Sequence, residues 1–358
     1  MSLVAEKASN QTKVDPIRVM LVDDSAVIRG LIARILEADP EIVIAATAAN
    51  GAQAVKGLER SGAEVVVLDI EMPVMDGLTA LPQLLECDAR LKIIVASTLS
   101  QRNAQISLKA LEAGATDYIP KPTSTGEINT GIDFRRELLE KVKALGAAYR
   151  NETVSAEARS EDGGARAART AGVKAKEVAR RPLGSPAIKR YTLRKQLPKH
   201  AEIIAIGSST GGPQALLALL KDLSAAVKVP ILITQHMPAT FTTILAEHIT
   251  KASGRPCTEA VDGGAIEAGR IYIAPGNWHM VVEEEGGRKV TRLNQDPPVN
   301  FCRPAVDPML KSAAEAYEGR VLAVILTGMG QDGLVGGESV IEQGGTVVAQ
   351  DEATSVVW

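Results

Sequence analysis

From Ile17 onward, short aliphatic runs alternate with longer amphipathic stretches. IRVMLV (17–22), EIVIAA (41–46), EVVVLDI (64–70), LKIIVAS (91–97) and TDYIP (116–120) predict five strands. The stretches 25–38, 51–60, 77–86 and 101–113 between them predict helices. The strands are continuously apolar rather than alternating, so both sheet faces are covered, as in a parallel sheet wound with helices on each side. A closing helix near 126–149 places Ile132, Leu138, Leu139, Val142 and Leu145 on one face and sets Glu137 against Lys141 at i,i+4.

The pattern then stops. Residues 150–182 contain three valines but no Leu, Ile, Met or aromatic residue, too little apolar surface to offset ordering entropy. From Glu202 the alternation resumes with EIIAIG, VPILITQ, RIYIAPG, RVLAVILTG and TVVAQ, separated by helix-like stretches at 213–221, 240–251, 304–317 and 333–343. The expected organisation is a disordered lead-in over 1–15, a first α/β domain over 16–149, a flexible basic linker over 150–199 and a second, mostly parallel α/β domain over 200–358.

The length of 358 residues agrees with two domains plus connecting chain. Net charge is -3 and aromatics are only 3%, which speaks against a nucleic-acid platform that needs a positive field and stacking rings. The linker stretch is the exception, with 13 basic and 5 acidic side chains over 150–199; a solvated tether is the plainer reading and an acidic partner the alternative. Cys87, Cys257 and Cys302 are widely spaced, with no CxxC pair or clustered histidine to complete a zinc site, so a reduced, cytoplasmic protein is expected. No apolar run approaches the length of a membrane span, and the N-terminus lacks a signal-peptide core.

In open parallel sheets, ligands bind outside the carboxyl ends of the strands. There the first domain carries Asp23 and Asp24 after strand one, Asp69 ending strand three, Ser97 ending strand four and Lys121 after strand five. Converging carboxylates call for a cation, and an all-oxygen set selects a hard ion such as Mg2+. A metal-held carboxylate beside a lysine and a hydroxyl is suited to accept a phosphoryl group, with Asp69 as nucleophile. Each aspartate alone could be a helix or turn cap; five groups gathered at four strand ends argue for a site. The motifs LVDDS (21–25), VVVLDIEMPVMDG (65–77), VAS (95–97) and YIPKP (118–122) resemble the receiver domain of two-component response regulators, a flavodoxin-like, doubly wound parallel fold. The resemblance implies phosphorylation at Asp69, metal carboxylates at Asp23, Asp24 and Asp69, and switch or phosphate-contact roles for Ser97, Tyr118 and Lys121. As a bland alternative, Tyr118 reads as an exposed ring beside a strand end.

In the second domain, Gly207-Ser208-Ser209-Thr210-Gly211 fits G-x-S-x-G on a strand-to-helix turn, with Ser209 central and Pro213 at the helix start. Such a turn equally serves as a cap or phosphate cradle. Four histidines are available as a base. His236 directly follows the strand PILITQ, whereas His200 ends the linker, His248 falls in an amphipathic helix and His279 is expected in a surface turn beside Trp278. Asp332, in the glycine-rich turn after RVLAVILTG, supplies a carboxylate at the same sheet edge. In a triad the histidine takes the serine proton, the aspartate stabilises the imidazolium and backbone amides receive the oxyanion.

GSSTGG, QHMP and LTGMGQDG, following a receiver, resemble the chemotaxis response-regulator family of protein-glutamate methylesterases. That family hydrolyses glutamate methyl esters on the cytoplasmic region of chemoreceptors, releasing methanol, and many members also deamidate receptor glutamines. The resemblance implies Ser209 as nucleophile, His236 as base, Asp332 as its orienter, and Thr210 and Met329 near the oxyanion. It also implies a chemotaxis histidine kinase as phosphodonor, a methylated chemoreceptor as substrate, no nucleic acid, no membrane insertion, and no cofactor for the esterase. The family continues past the point where this chain ends at SVVW, so a C-terminally truncated catalytic domain is expected. Two rivals are a response regulator whose second half reads DNA through a recognition helix, and a silent scaffold whose serine turn binds an anion.

Overall fold

A computed structural model describes residues 15–98, 100–121, 132–167 and 200–358. The lead-in over 1–14 and the linker over 168–199 lie outside the described residues.

In the first domain, β1 (Ile17–Val22), β2 (Ile42–Ala48), β3 (Val65–Asp69), β4 (Lys92–Ser97) and β5 (Asp117–Pro120) form a parallel sheet of order β2-β1-β3-β4-β5. β3 and β4 are buried at every position because helices cover both faces. The helices are α1 (Ala26–Glu37), α2 (Gly51–Ser61), α3 (Gly77–Cys87) and α4 (Gln101–Glu112), whose N-caps Ser25, Asn50, Asp76 and Ser100 each accept a hydrogen bond from an amide of the first turn.

The helix expected near 126–149 runs, within the described residues, from Ile132 to Ala167, as α5. The stretch from 150 read as linker therefore begins as helix. Its Ala, Glu and Arg residues have high helix propensity, and Arg150 and Glu152 pair with Glu64 and Lys92 of the first domain, features that counting apolar residues overlooks. Leu138, Val142 and Leu145 are fully buried as the periodicity predicts. Lys141 pairs with Glu137 at 2.9 Å and with Asp117 at 3.2 Å, and donates to the Tyr118 carbonyl, fastening α5 to β5.

The second domain carries a six-stranded parallel sheet of order β14-β13-β6-β7-β10-β8, from β6 (Ile203–Ser208), β7 (Ile231–Gln235), β8 (Cys257–Glu259), β10 (Ile271–Ile273), β13 (Val321–Ile325) and β14 (Thr346–Ala349). Around it pack α6 (Gly212–Asp222), α7 (Ala239–Ser253), α8 (Val306–Ala316) and α9 (Leu334–Glu342). The hydrophobic pattern does not reveal β8, nor the antiparallel sheet of β9 (Gly264–Ala265), β11 (His279–Glu285) and β12 (Arg288–Asn294), because these strands are short or largely polar. His279 starts β11 and is 1% exposed, not in a surface turn. Its Nδ1 accepts from the Ala305 amide, and burial lowers its pKa.

The two domains share packing. The Tyr118 ring stacks on Phe241 of α7, with centroids 4.4 Å apart, so Tyr118 is buried rather than exposed. His248 Nδ1 meets Glu112 at 2.6 Å, and Gln214 Nε2 donates to the Ala115 carbonyl. The α4–β5 side of the first domain thus rests on α6 and α7.

Candidate functional sites

At the carboxyl edge of the first sheet, oxygens of Asp23, Asp24 and Asp69 lie within 4.8 Å of one another. Lys121 Nζ bridges Asp23 at 2.6 Å and Asp69 at 2.7 Å. Burial pushes the Asp69 carboxyl up and the neighbouring Asp23 adds to this, while Lys121 opposes it. Three carboxylates held this close fit a hard divalent cation, which would relieve their repulsion. Close backbone approach is built in at Gly77, where a Cβ would stand 2.1 Å from the Asp69 carbonyl oxygen. Ser97 is buried at the end of β4 with its hydroxyl 2.7 Å from that of Ser107.

At the carboxyl edge of the second sheet, the neighbouring strands β13, β6 and β7 deliver three loops side by side. The Ser209 amide donates to the Thr327 carbonyl after β13, Gln235 Nε2 donates to the Ser209 carbonyl, and the His236 amide donates to the Ser208 carbonyl. Gly211 takes φ 75°, which turns the chain into α6. Thr210 is buried on this turn, its carbonyl accepting from the Thr327 hydroxyl, and Met329 is half-buried in the facing turn. Val356 and Val357 pack against the first domain's core while their amides donate to the Thr327 hydroxyl, so the serine turn touches both domains through them.

His236 Nε2 lies 2.7 Å from Asp332 Oδ2. Asp332 is 97% buried as a side chain, its exposure being 3%, and it accepts from the Val306 and Asp307 amides at the N-terminus of α8, whose dipole favours its negative charge. Burial would raise Asp332, but His236 and these amides outweigh it and hold the carboxyl below its ordinary range. For His236 burial disfavours the imidazolium, yet its bonds to Asp332 and then Cys302 push it up to about 9. Among the described residues, no hydrogen bond joins the Ser209 hydroxyl to His236; the other ring nitrogen, Nδ1, is paired with Cys302 Sγ at 3.5 Å. The structure therefore brings His236 and Asp332 into direct contact and sets Ser209 on the adjoining turn.

Three residues at this site escape the sequence reading. Asp307 is buried and accepts from the Gly333 and Gly336 amides, clamping the turn that carries Asp332. Gln235, held by the Ser208 hydroxyl, braces the serine turn. Cys302 is invisible as a partner because it lies 66 residues from His236. The sequence signal available for Asp307 was an aspartate at the start of an amphipathic helix, which ordinarily reads as a first-turn charge.

An acidic phosphoacceptor-type pocket and a histidine–carboxylate pair beside a serine turn, on one chain, define a response regulator with a hydrolase output. Residues 204–358 match the CheB methylesterase family, and residues 19–133 match the response regulator receiver domain. Protein-glutamate methylesterase/protein-glutamine glutaminase 1 of Paramagnetospirillum magneticum is 57% identical over 96% of this chain and 89% of its own. The protein of the same name in Rhodospirillum rubrum is 54% identical over 100% of this chain and 92% of its own. The crystal structure of the Thermotoga maritima CheB methylesterase catalytic domain shares 42% identity over 44% of this chain and 84% of that chain, with a TM-score of 0.43. The chain belongs to the CheB family, a receiver domain joined to a methylesterase domain. The second half is thus a methylesterase domain built on a parallel α/β sheet, not the DNA reader of the first rival.

Proposed function

We propose that Ser209, His236 and Asp332 hydrolyse glutamate methyl esters on the cytoplasmic region of chemoreceptors, and that phosphorylation of Asp69 by a chemotaxis histidine kinase switches this on. The contact between His236 and Asp332, on the loop zipped to the Ser209 turn, carries the reading. With Nε2 engaged by Asp332, Nδ1 is the nitrogen that takes the Ser209 proton. Ser209 Oγ attacks the ester carbonyl; the tetrahedral oxyanion is received near Thr210 and Met329; methanol leaves with the proton from His236; water, activated by the same base, frees the glutamate carboxylate. Receptor glutamine amides would enter the same cycle with ammonia as leaving group.

In the receiver, Asp23, Asp24 and Asp69 would hold Mg2+, which when bound neutralises charge on the transferred phosphoryl group. Asp69 is the acceptor and Lys121 is placed to pair with the phosphoryl oxygens once it leaves the carboxylates. Ser97, at the end of β4, is the hydroxyl placed to follow the phosphoryl group. Tyr118, on the neighbouring strand, is held by Phe241, so a shift there loosens the receiver from α6 and α7 and favours an open population.

The test is methanol release from methylated receptor, with and without a small phosphodonor and Mg2+, together with labelling by a serine-directed phosphonate. Label on Ser209 and stimulation by the phosphodonor are expected. A labelled residue elsewhere would overturn the triad, and equal rates would overturn the regulation. Ser209→Ala also separates the esterase from the scaffold rival, which would survive it.

A further inference from the structure

The loop Val299–Arg303 is built at a conformational cost. Asn300 and Phe301 both sit in the left-handed region, at φ 49° and 65°, a rare state for two consecutive non-glycine residues and an unusual one for a phenylalanine. Such a geometry persists only where the surroundings impose it. Val299 and Cys302 exchange both backbone hydrogen bonds across the turn. The Arg303 guanidinium then pins the exit, donating to Asn277 Oδ1 and to the carbonyls of Gln295 and Asp296. At the entrance, Asn300 Nδ2 reaches Asp307, which also clamps the Asp332 turn. The loop turns Phe301 outward, under the Arg136 guanidinium of α5, and Cys302 inward, where its Sγ stands 3.5 Å from His236 Nδ1.

An imidazole ring has two faces of similar shape, and a carboxylate accepts from whichever nitrogen is presented. Asp332 alone therefore does not fix which nitrogen points at the serine. A second partner on the opposite nitrogen does. We propose that Cys302 is a positioning residue for the base: its thiol holds His236 Nδ1 while the enzyme rests, keeping Nε2 on Asp332, and yields Nδ1 to the Ser209 hydroxyl when the ester is bound. No covalent step is involved. The thiol donates to a neutral Nδ1, or accepts from Nδ1–H when the ring is protonated. A thiol is suited to this exchange because sulfur hydrogen bonds weakly, so the serine hydroxyl displaces it where it would compete poorly with a carboxylate or an alcohol. Holding the protonated ring also contributes to the elevated His236 proton affinity, after the larger effect of Asp332.

The inference rests on the triad reading, and two measurements keep the fates of the two apart. The first is the titration of His236 followed by NMR in the full-length protein with ring-labelled histidine, a readout independent of activity. In Cys302→Ala the titration is expected at lower pH than in the parent, and Cys302→Ser should return it towards the parental value. The second is the pH dependence of kcat/KM for methanol release from the phosphodonor-treated enzyme. In Cys302→Ala its acidic limb should follow the His236 titration downward, with kcat reduced several-fold and KM unchanged. A merely structural thiol would lower activity at every pH without moving the limb. Cys302→Val, which fills the space with an apolar side chain that cannot hydrogen bond, replaces the alanine variant should that fail to fold, and should show the same downward shift. Coincident His236 titrations in parent and folded Cys302→Ala or Cys302→Val overturn the proposal. Retained methanol release in Ser209→Ala overturns the triad instead, and leaves the titration result to stand by itself.

Discussion

Tyr118, on the last strand of the receiver, lies nearly parallel to Phe241, on the helix that follows His236, at 16° between ring planes and 4.4 Å between centroids. Phe241 begins three residues after Pro238, so the ring that holds the receiver is anchored on the same segment that positions the catalytic-domain histidine. An offset aromatic pair contributes about 0.5–1.5 kcal/mol beyond its buried area.

Tyr118→Ala should therefore raise methanol release in the absence of phosphodonor by up to about tenfold, the population change that about 1.4 kcal/mol produces. Stimulation by phosphodonor should shrink correspondingly. Basal and stimulated rates measured on methylated receptor check both; an unchanged basal rate would show that the stack does not hold the closed state.

The base must lose its proton before it can accept one from serine. With His236 pushed up to about 9, kcat/KM should climb through neutral pH and reach half its limit near that value. Asp332→Asn removes the main partner of the imidazolium, so the limb should move to lower pH while the maximum falls steeply. A pH–rate series on parent and variant decides it.

The same pair links stability to pH. His236 is raised above its ordinary 6.5, so its contribution is complete below that value and is lost as pH rises through about 9. Asp332 is lowered below 3.8, so its contribution is present above that value and is lost on further acidification. Removing one partner of a buried pair costs about 3–5 kcal/mol. Thermal unfolding of Asp332→Asn should show its largest deficit between these limits and converge with the parent at the alkaline end.

Asp307 accepts from the Gly333 and Gly336 amides and its own amide supports Asp332. Asp307→Ala leaves two buried donors unpaired, at about 1–3 kcal/mol each. Lower unfolding temperature and a kcat loss greater than any change in KM are expected, because the turn that holds Asp332 is released.

In the receiver, Mg2+ should raise the unfolding temperature of the parent by binding the folded acidic pocket and not the unfolded chain. Asp23→Asn removes a ligand and should abolish the shift. Asp69→Asn should leave the protein folded but unresponsive to phosphodonor, with basal methanol release retained.

Much of this protein is written in local pattern. Continuous apolar runs such as VVVLDI and ILITQ specify buried parallel strands, because only strands covered on both faces can lack polar alternation, and their ends therefore put Asp69 and His236 at a ligand edge. What the pattern leaves out has a physical reason in each case. The antiparallel β11–β12 hairpin is charged on its exposed face, so its apolar content is too thin to announce a strand, and His279 looked like a surface residue. The helix past 150 begins with polar ties to the receiver, Arg150 to Glu64 and Glu152 to Lys92, which a count of apolar residues does not register.

The chain's own residues thus determine two sheets, their carboxyl-edge chemistry and membership of the family. The tertiary structure decides which side chains meet across long separations: Tyr118 on Phe241, Asp307 on the Asp332 turn, and Cys302 on the ring of His236. Those meetings depend on strand order and on a strained loop clamped by Arg303, and neither can be read from hydrophobic period, which records what is buried but not against what.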